Sequence, residues 1–113
     1  MITIMEYWHL RPELQNDALA LMQKMDDLLG PAAHVHPGWC GHARFYQKTN
    51  QPGQVVMIYP WRNRESHEDL TVKEEPILQS FYDEYCVAPR EIHYYAELLV
   101  DVEHDLAVST QAQ

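Results

Sequence analysis

The stretch from Val55 to Glu75 constrains the fold of this chain more than any other segment. It begins with the apolar run Val55–Tyr59, which is typical of a buried β-strand. It continues through Pro60 and Trp61 into a polar, charged segment that favours a helix. Strand ends that lead into helices are places where scaffolds present side chains to ligands. In a chain of 113 residues, this arrangement points to one small fold.

The composition suits one compact domain without a membrane-spanning segment. Hydrophobic residues make up 46% of the sequence, which suffices for a core. No apolar run approaches the roughly 20 residues that a membrane-spanning helix needs. The segment Met1–Glu6 lacks the basic start and the cleavage site of a secretory signal. We therefore predict a cytoplasmic protein with no membrane partner.

The charge balance argues against binding to nucleic acid. The net charge is −9 with histidines neutral, whereas phosphate backbones favour clustered Lys and Arg. Seven acidic residues fall within Glu65–Glu84, and we interpret them as solvated helix faces. The two cysteines, Cys40 and Cys86, are far apart and form no CxxC motif, so we interpret them as reduced.

The periodicity of apolar residues predicts the element order β-α-β-β-α-β. The predicted elements are strand Ile2–Leu10, helix Glu13–Leu29, strands Trp39–Lys48 and Gln54–Tyr59, a helical region from Asn63 to about Tyr85, and strand Ile92–Val102. Gly30-Pro31 is predicted to end the first helix, and a break near Thr71–Pro76 is predicted to divide the second. We expect a single domain over residues 1–103 and a mobile tail over residues 104–113.

This order predicts an α+β fold of the ferredoxin-like type, with a four-stranded antiparallel sheet and both helices on one face. The predicted strands carry bulky side chains on both faces, but the helices can cover only one of them. A large uncovered apolar face normally marks an interface. We therefore expect a homodimer in which the two sheets pack against each other.

The same layout resembles the dimeric α+β barrel superfamily, most closely its antibiotic-biosynthesis-monooxygenase-like (ABM-like) members. The resemblance spans roughly Met1 to Val102. The residues that carry it are Tyr59 and Trp61 at the end of the third strand, the helix opening Arg64-Glu65-Ser66, and Pro76 followed by Phe81. The resemblance implies a ligand cleft between the sheet and its helices.

Known members of that superfamily include cofactor-independent oxygenases of aromatic polyketides, heme-degrading oxygenases, isomerases, decarboxylases and proteins with no known reaction. This chain departs from the common pattern, with Pro60 where many members have Glu and Leu70 where many have His. The pattern of the heme-degrading branch is an Asn on strand one, a Trp after strand three and a later helical His. Here strand one offers Glu6 or Tyr7 and the nearby His is His67, so we disfavour heme degradation.

Several polar and aromatic residues are candidates for a small-molecule site. We expect His67 or His42 to act as a general base and Arg64 or Arg44 to stabilise an anion. Further candidates are Asn63 in the catalytic group and Trp61, Tyr59, Tyr46, His93, Tyr95 and Trp8 in the ligand-binding group.

Structural roles are open alternatives for the same residues. Trp61 and Tyr59 could be core packing, and His67 could be a surface histidine. The alternating polar residues of strands two and four could form an ion-pair lattice across the dimer interface. The spacing of His34, His36, Cys40 and His42 matches no standard zinc signature, so we expect no metal site.

Two functions of different classes follow from these observations. The first is a small oxygenase-like enzyme that oxidises an aromatic or quinone-like metabolite without a bound cofactor. The second is a non-catalytic dimeric protein that binds a small molecule or serves an accessory role, with heme as a less favoured ligand. In both cases the expected partners are a small molecule and a second copy of the chain.

Overall fold

The computed structural model describes residues 1–103, and the predicted tail at residues 104–113 lies outside the described residues. The element order is the predicted β-α-β-β-α-β. The strands are β1 (Ile2–His9), β2 (Arg44–Gln47), β3 (Gln54–Trp61) and β4 (Glu91–Tyr95); the helices are α1 (Ala18–His34) and α2 (Arg64–Tyr85), with a short 3-10 helix at Pro12–Asp17.

The four strands form one antiparallel sheet in the order β2-β3-β1-β4. This is the predicted ferredoxin-like arrangement, and the α+β fold class is confirmed. The register places Ile4 of β1 opposite both Tyr59 of β3 and Tyr94 of β4, so these three side chains share one row across the helix-facing side. Glu6 lies one pleat further along β1 on the same side, opposite Met57.

Alternation along β1 separates a buried face from an open one. Ile4, Glu6 and Trp8 are at most 1% exposed, whereas the residues between them are partly accessible. The helices cover this buried face through apolar stripes spaced three and four residues apart. The buried residues of α1 are Ala18, Leu21, Met22, Met25, Leu29 and Gly30, and those of α2 are His67, Leu70, Glu74, Leu78, Phe81 and Tyr82.

Both helices continue through positions where we predicted them to stop. Helix α1 extends past Gly30-Pro31 to His34, and α2 runs unbroken through Pro76, so the predicted end and the predicted break are wrong. An interior proline removes one hydrogen bond to the carbonyl four residues earlier. For Pro31 and Pro76 that carbonyl belongs to Asp27 and Val72, which are exposed, so water can replace the missing donor.

The second and fourth strands are shorter than predicted. Strand β2 covers only Arg44–Gln47 of the predicted Trp39–Lys48, and β4 ends at Tyr95 instead of Val102. Strand β4 ends because its partner does: Tyr95 pairs with Thr3, next to the first residue of β1. The chain beyond β4 carries exposed aliphatic side chains at Leu98, Leu99, Val100 and Val102.

The face of the sheet away from the helices is uncovered. It carries Met5, Tyr7, Val56 and Ile58 in half-buried positions. Within residues 1–103, no helix is long and apolar enough to cross a membrane. Cys40 is exposed and Cys86 is buried, and neither forms a disulfide.

Candidate functional site

A cavity of about 290 Å³ lies between the helix-facing side of the sheet and the two helices. Its floor is formed by strand residues, its sides by the helices, and its mouth by the loop between α1 and β2. The polar and aromatic residues that line it include Glu6, Tyr59, Trp61, Glu74, Arg90 and His42. This is the position of the cleft that the resemblance implies.

A buried ion cluster occupies one end of the cavity. Arg90, in the loop before β4, is 8% exposed. Its Nη1 donates to Oε1 of Glu6 at 2.9 Å, and its Nη2 donates to Oε1 of Glu74 and to Oε2 of Glu75, both at 2.9 Å. The guanidinium also lies 5.7 Å from the ring of Trp8. A single buried positive charge therefore balances two buried carboxyl groups and a half-exposed third.

Glu74 belongs to this cluster, and its carboxyl group has a raised pKa. Burial raises the pKa of its carboxyl group to about 7, because desolvation outweighs the attraction of Arg90 and the Glu6 carboxylate adds repulsion. A carboxyl group with a pKa near 7 can accept and return protons at working pH, as a general acid–base residue must. Glu74 is 5% exposed and lines the cavity, so it can exchange a proton with a bound molecule.

A hydrogen-bonded chain starts at the other side of Glu6. The hydroxyl of Tyr59 donates to Oε2 of Glu6, and Nε2 of His67 lies 2.5 Å from the same hydroxyl oxygen. Nδ1 of His67 lies 3.0 Å from the hydroxyl of Tyr94. The hydroxyl proton of Tyr59 is directed at Glu6, so the Tyr59 hydroxyl oxygen accepts a hydrogen bond from Nε2–H of His67. Nδ1 then accepts from Tyr94.

The pKa shifts of His67 and Tyr59 agree with these directions of hydrogen-bond donation. Burial lowers the pKa of His67 to about 4, so the imidazole is neutral at neutral pH and carries one N–H. Burial and the Glu6 carboxylate raise the pKa of Tyr59 well above its usual value, so this phenol keeps its proton. Every member of the chain can therefore both donate and accept, apart from the terminal Glu6 carboxylate.

The structure places His67 and His42 differently from each other. His67 is fully buried, so the surface-histidine reading is wrong, and it stands behind Tyr59 instead of on the cavity wall. His42 lies at the mouth, where its ring is 5.3 Å from the rings of both His34 and Trp39. Of the two predicted bases, only His42 can meet a ligand directly, and it is exposed.

The predicted catalytic residues Asn63 and Arg64 lie at the start of α2, outside the cavity. The Asn63 side chain accepts from the backbone N–H of Ser66 at 2.8 Å and so caps the helix. The Arg64 guanidinium is 5.0 Å from the ring centre of Tyr94 and 3.4 Å from a carboxylate oxygen of Glu68. These contacts give Asn63 a structural role and place Arg64 over the solvent end of the hydrogen-bonded chain.

The predicted ligand-binding residues are divided between the two faces of the sheet. Tyr59 and Trp61 line the cavity. Trp8 is packed in the core against Phe81 and Tyr82 and does not line it. The remaining four candidates, Arg44, Tyr46, His93 and Tyr95, lie on the uncovered face.

Trp61 is held tightly at the mouth. A β-carbon on Gly38 would collide with the indole nitrogen, so the loop can approach this closely only because residue 38 is glycine. Among the described residues, Nε1 of Trp61 is buried without a hydrogen-bond partner. The ring also packs at 5.5 Å from His36 and at 5.5 Å from His67. The loop and the start of α2 are thereby packed around one indole.

Our sequence reasoning left Glu74, Arg90 and Tyr94 out of the candidate site and named Glu6 only in passing. Glu6 stands in the buried alternation of β1 between Ile4 and Trp8, which was a readable signal. Glu74 was assigned to a solvated face, and this is wrong for that residue. Its position four residues after Leu70 and four before Leu78 marks the buried stripe of an unbroken α2. Arg90 lies in a loop and has no comparable signal.

Within residues 1–103, no three His, Cys, Asp or Glu side chains are grouped so that they could hold a metal ion. His36 is paired with Asp69 at 3.0 Å, and the thiol of Cys40 faces the Gly38 carbonyl. His34 and His42 contact each other and Trp39 through their rings. The H-x-H-x3-C-x-H sequence is therefore dispersed around the mouth loop.

No family model and no curated protein matches the sequence. The fold is nevertheless shared with solved structures. One is a crystal structure of an antibiotic biosynthesis monooxygenase, with a TM-score of 0.62 and 14% identity over 87% of this chain and 99% of the other. Rv0793 from Mycobacterium tuberculosis matches with a TM-score of 0.62 and 17% identity over 88% and 97% of the two chains. PA3566 from Pseudomonas aeruginosa matches with a TM-score of 0.60 and 18% identity over 86% of this chain and 93% of the other.

These likenesses confirm that the chain has the fold of the ABM-like proteins. At identities of 14–18% they establish the fold and leave the reaction to be argued from the site.

Proposed function

We propose that this protein is an enzyme that oxidises a hydroxylated aromatic, of the quinol type, with dioxygen and without a bound cofactor. The observation that carries the proposal is the placement of Glu74, whose pKa is about 7, on the wall of a cavity that also contains Tyr59, Trp61 and other aromatic and apolar side chains. Such a cavity can hold a planar ring and take a proton from its hydroxyl group.

The reaction balances without another reactant. Glu74 takes the hydroxyl proton, and the electron-rich anion reduces dioxygen and bonds to it at a ring carbon. The resulting peroxide oxygen is protonated, and loss of the C–H proton together with hydroxide releases water and leaves a carbonyl group. The product has one oxygen atom more and two hydrogen atoms fewer than the substrate, and the second oxygen atom leaves as water.

Glu74→Gln is expected to lower oxygen uptake with a quinol substrate by roughly 10²–10³-fold, because the amide cannot act as the base. Wild-type activity should rise with pH through about 7, since the base must be deprotonated. An oxygen electrode and a panel of benzo- and naphthoquinols provide the measurement. Glu84→Gln, an exposed position on the same helix, is the matched control.

Equal rates for Glu74→Gln, Glu84→Gln and wild type would contradict the assignment of Glu74. Tight binding of the quinols without oxygen uptake by the wild-type protein would support the alternative class, a non-catalytic small-molecule binding protein. The cavity itself favours neither class, but the raised pKa of Glu74 at its wall supports the first.

Heme fits this site poorly. The helical histidine that would have to bind the heme iron, His67, is fully buried. Its two ring nitrogens are hydrogen-bonded to Tyr59 and Tyr94. Binding iron through His67 would require displacement of one tyrosine and exposure of the ring. His42 is accessible but lies at the mouth, against His34 and Trp39.

We also propose that the protein acts as a homodimer formed through the uncovered face of the sheet. The support is the set of half-buried apolar residues on that face, including Met5 and Ile58, and the exposed aliphatic segment that follows β4. Wild type is expected to sediment with twice the mass of the chain, and Ile58→Glu should produce a monomer. Leu19→Glu, at an exposed site on α1, should remain dimeric. A wild-type monomer would contradict this proposal.

A further inference from the structure

A continuous hydrogen-bonded path runs from the cavity to Tyr94. Glu6 and Tyr59 line the cavity, and His67 stands behind them without reaching it. Tyr94 is half-buried and lies beyond His67 on β4. We infer that Tyr59, His67 and Tyr94 form a proton relay that supplies protons from solvent to the cavity.

The geometry gives the relay one direction. The Tyr94 hydroxyl donates to Nδ1 of His67, Nε2–H of His67 donates to Tyr59, and Tyr59 donates to Glu6. Each donor therefore faces inward. The Thr71 hydroxyl donates to the His67 carbonyl at 3.0 Å and lies 3.5 Å from Nδ1, so Tyr94, at 3.0 Å, is the nearer partner of Nδ1. Neutral imidazole is the link that such a path needs, because it accepts at one nitrogen while it donates from the other.

The outer end of the relay reaches the protein surface. The Tyr94 ring lies under the guanidinium of Arg64, whose side chain is 68% exposed, and Glu68, 55% exposed, is paired with the same guanidinium. These two exposed charges therefore lie beside the Tyr94 ring and in contact with solvent. On the inner side, the Tyr59 hydroxyl is the member of the path that a molecule in the cavity can touch.

The catalytic use of the relay rests on the proposed function. When the Tyr59 hydroxyl turns from Glu6 to the peroxide oxygen and gives up its proton, Tyr59 recovers one from Nε2 of His67. His67 recovers one at Nδ1 from Tyr94, and Tyr94 recovers one from water. The proton that Glu74 removed from the substrate returns to solvent, so the cycle neither gains nor loses a proton. The transfer leaves the His67 proton on Nδ1, and a flip of the imidazole ring restores the Nε2–H form before the next turnover. Tyr59 is thus a catalytic donor, whereas His67 and Tyr94 act through it.

The relay can be tested without a substrate. In protein labelled with ¹⁵N-histidine, the exchange of Nε2–H of His67 with water is measured by NMR, with the signal assigned by its loss in His67→Gln. We expect the Nε2–H tautomer and rapid exchange despite complete burial. Tyr94→Phe should slow the exchange by roughly tenfold or more, because exchange then requires local opening of the fold. Tyr95→Phe, the neighbour on the opposite face, should exchange like wild type.

An Nδ1–H tautomer, or equal exchange rates in Tyr94→Phe and Tyr95→Phe, would overturn the relay. Oxygen uptake separates this result from the proposed function. A relay that is intact by NMR in a protein that oxidises no quinol would refute the function and leave the relay standing. An active enzyme whose exchange is insensitive to Tyr94→Phe would refute the relay alone.

Discussion

Replacing His67 with glutamine is expected to make the protein relatively more stable as the pH falls. Burial lowers the pKa of His67 from 6.5 to about 4, so the unfolded chain takes up this proton before the folded one does. The contribution of the neutral imidazole is present above pH 6.5 and is lost as the pH falls to about 4. At 1.36 kcal/mol per unit, the loss amounts to about 3 kcal/mol. The His67→Gln variant has no imidazole at this position, so it does not lose this stability as the pH falls.

Glu74→Gln should show the opposite trend. Burial raises the pKa of Glu74 from 4.5 to about 7, so the folded protein binds this proton more tightly than the unfolded chain. The associated stability is present below pH 4.5 and is lost as the pH rises through about 7. The variant should therefore gain about 3 kcal/mol over wild type between pH 4.5 and pH 8.

Urea unfolding of the two variants and wild type at pH 4.5, 6 and 8 measures both trends. Because each variant is compared with wild type at the same pH, titration of residues that do not interact with the mutated one cancels from the difference. Between about pH 4.5 and 6.5 the two contributions oppose each other in wild type. Parallel pH profiles for both variants would contradict the assigned burial of these two groups.

Arg90→Met is expected to cost about 3–5 kcal/mol of stability at pH 8, because it leaves the Glu6 carboxylate and the Glu74 carboxyl group buried without their cation. The cost should shrink near pH 5, where Glu74 binds a proton. Arg62→Met, at an exposed position, should change the free energy of unfolding by at most about 0.5 kcal/mol.

Combining Arg90→Met with Glu74→Gln separates charge from packing. The double variant should recover part of the loss at pH 8, since one of the two uncompensated carboxylates is gone. Denaturant midpoints of the single and double variants provide the measurement. If Arg90→Met cost no more than Arg62→Met, the buried ion cluster would not be present in solution.

The sequence was sufficient to predict the sheet and the order of its elements. Side chains of a strand alternate between the two faces of a sheet. The residues of β1 follow this period of two, and the short apolar run of β3 is typical of a buried strand, so both segments were recognisable as strands. The helix ends were misjudged because each proline was read as a helix boundary. Whether Pro31 and Pro76 interrupt a helix depends on whether the carbonyl four residues earlier is solvated, and this is a tertiary property.

The site was predictable only in part, and for a related reason. Tyr59, Trp61 and His67 were found because they leave a strand and enter a helix next to each other. Dividing α2 at Pro76 broke the stripe that would have placed Glu74 beside His67 inside the fold. Arg90 reaches Glu6 across a sequence separation of 84 residues, and local patterns carry no information about such a contact.

Gly38 bears on how the cavity could be altered by evolution or by design. Its backbone conformation does not require glycine, since no residue among those described has a positive φ angle; the small residue is needed for volume, against Trp61. The course of the loop between α1 and β2 is thus fixed by the contact of Gly38 with Trp61. His34, Trp39 and His42 line the cavity near this loop and contact one another. Substitutions at those three positions could retune ligand selectivity while the loop keeps its anchor.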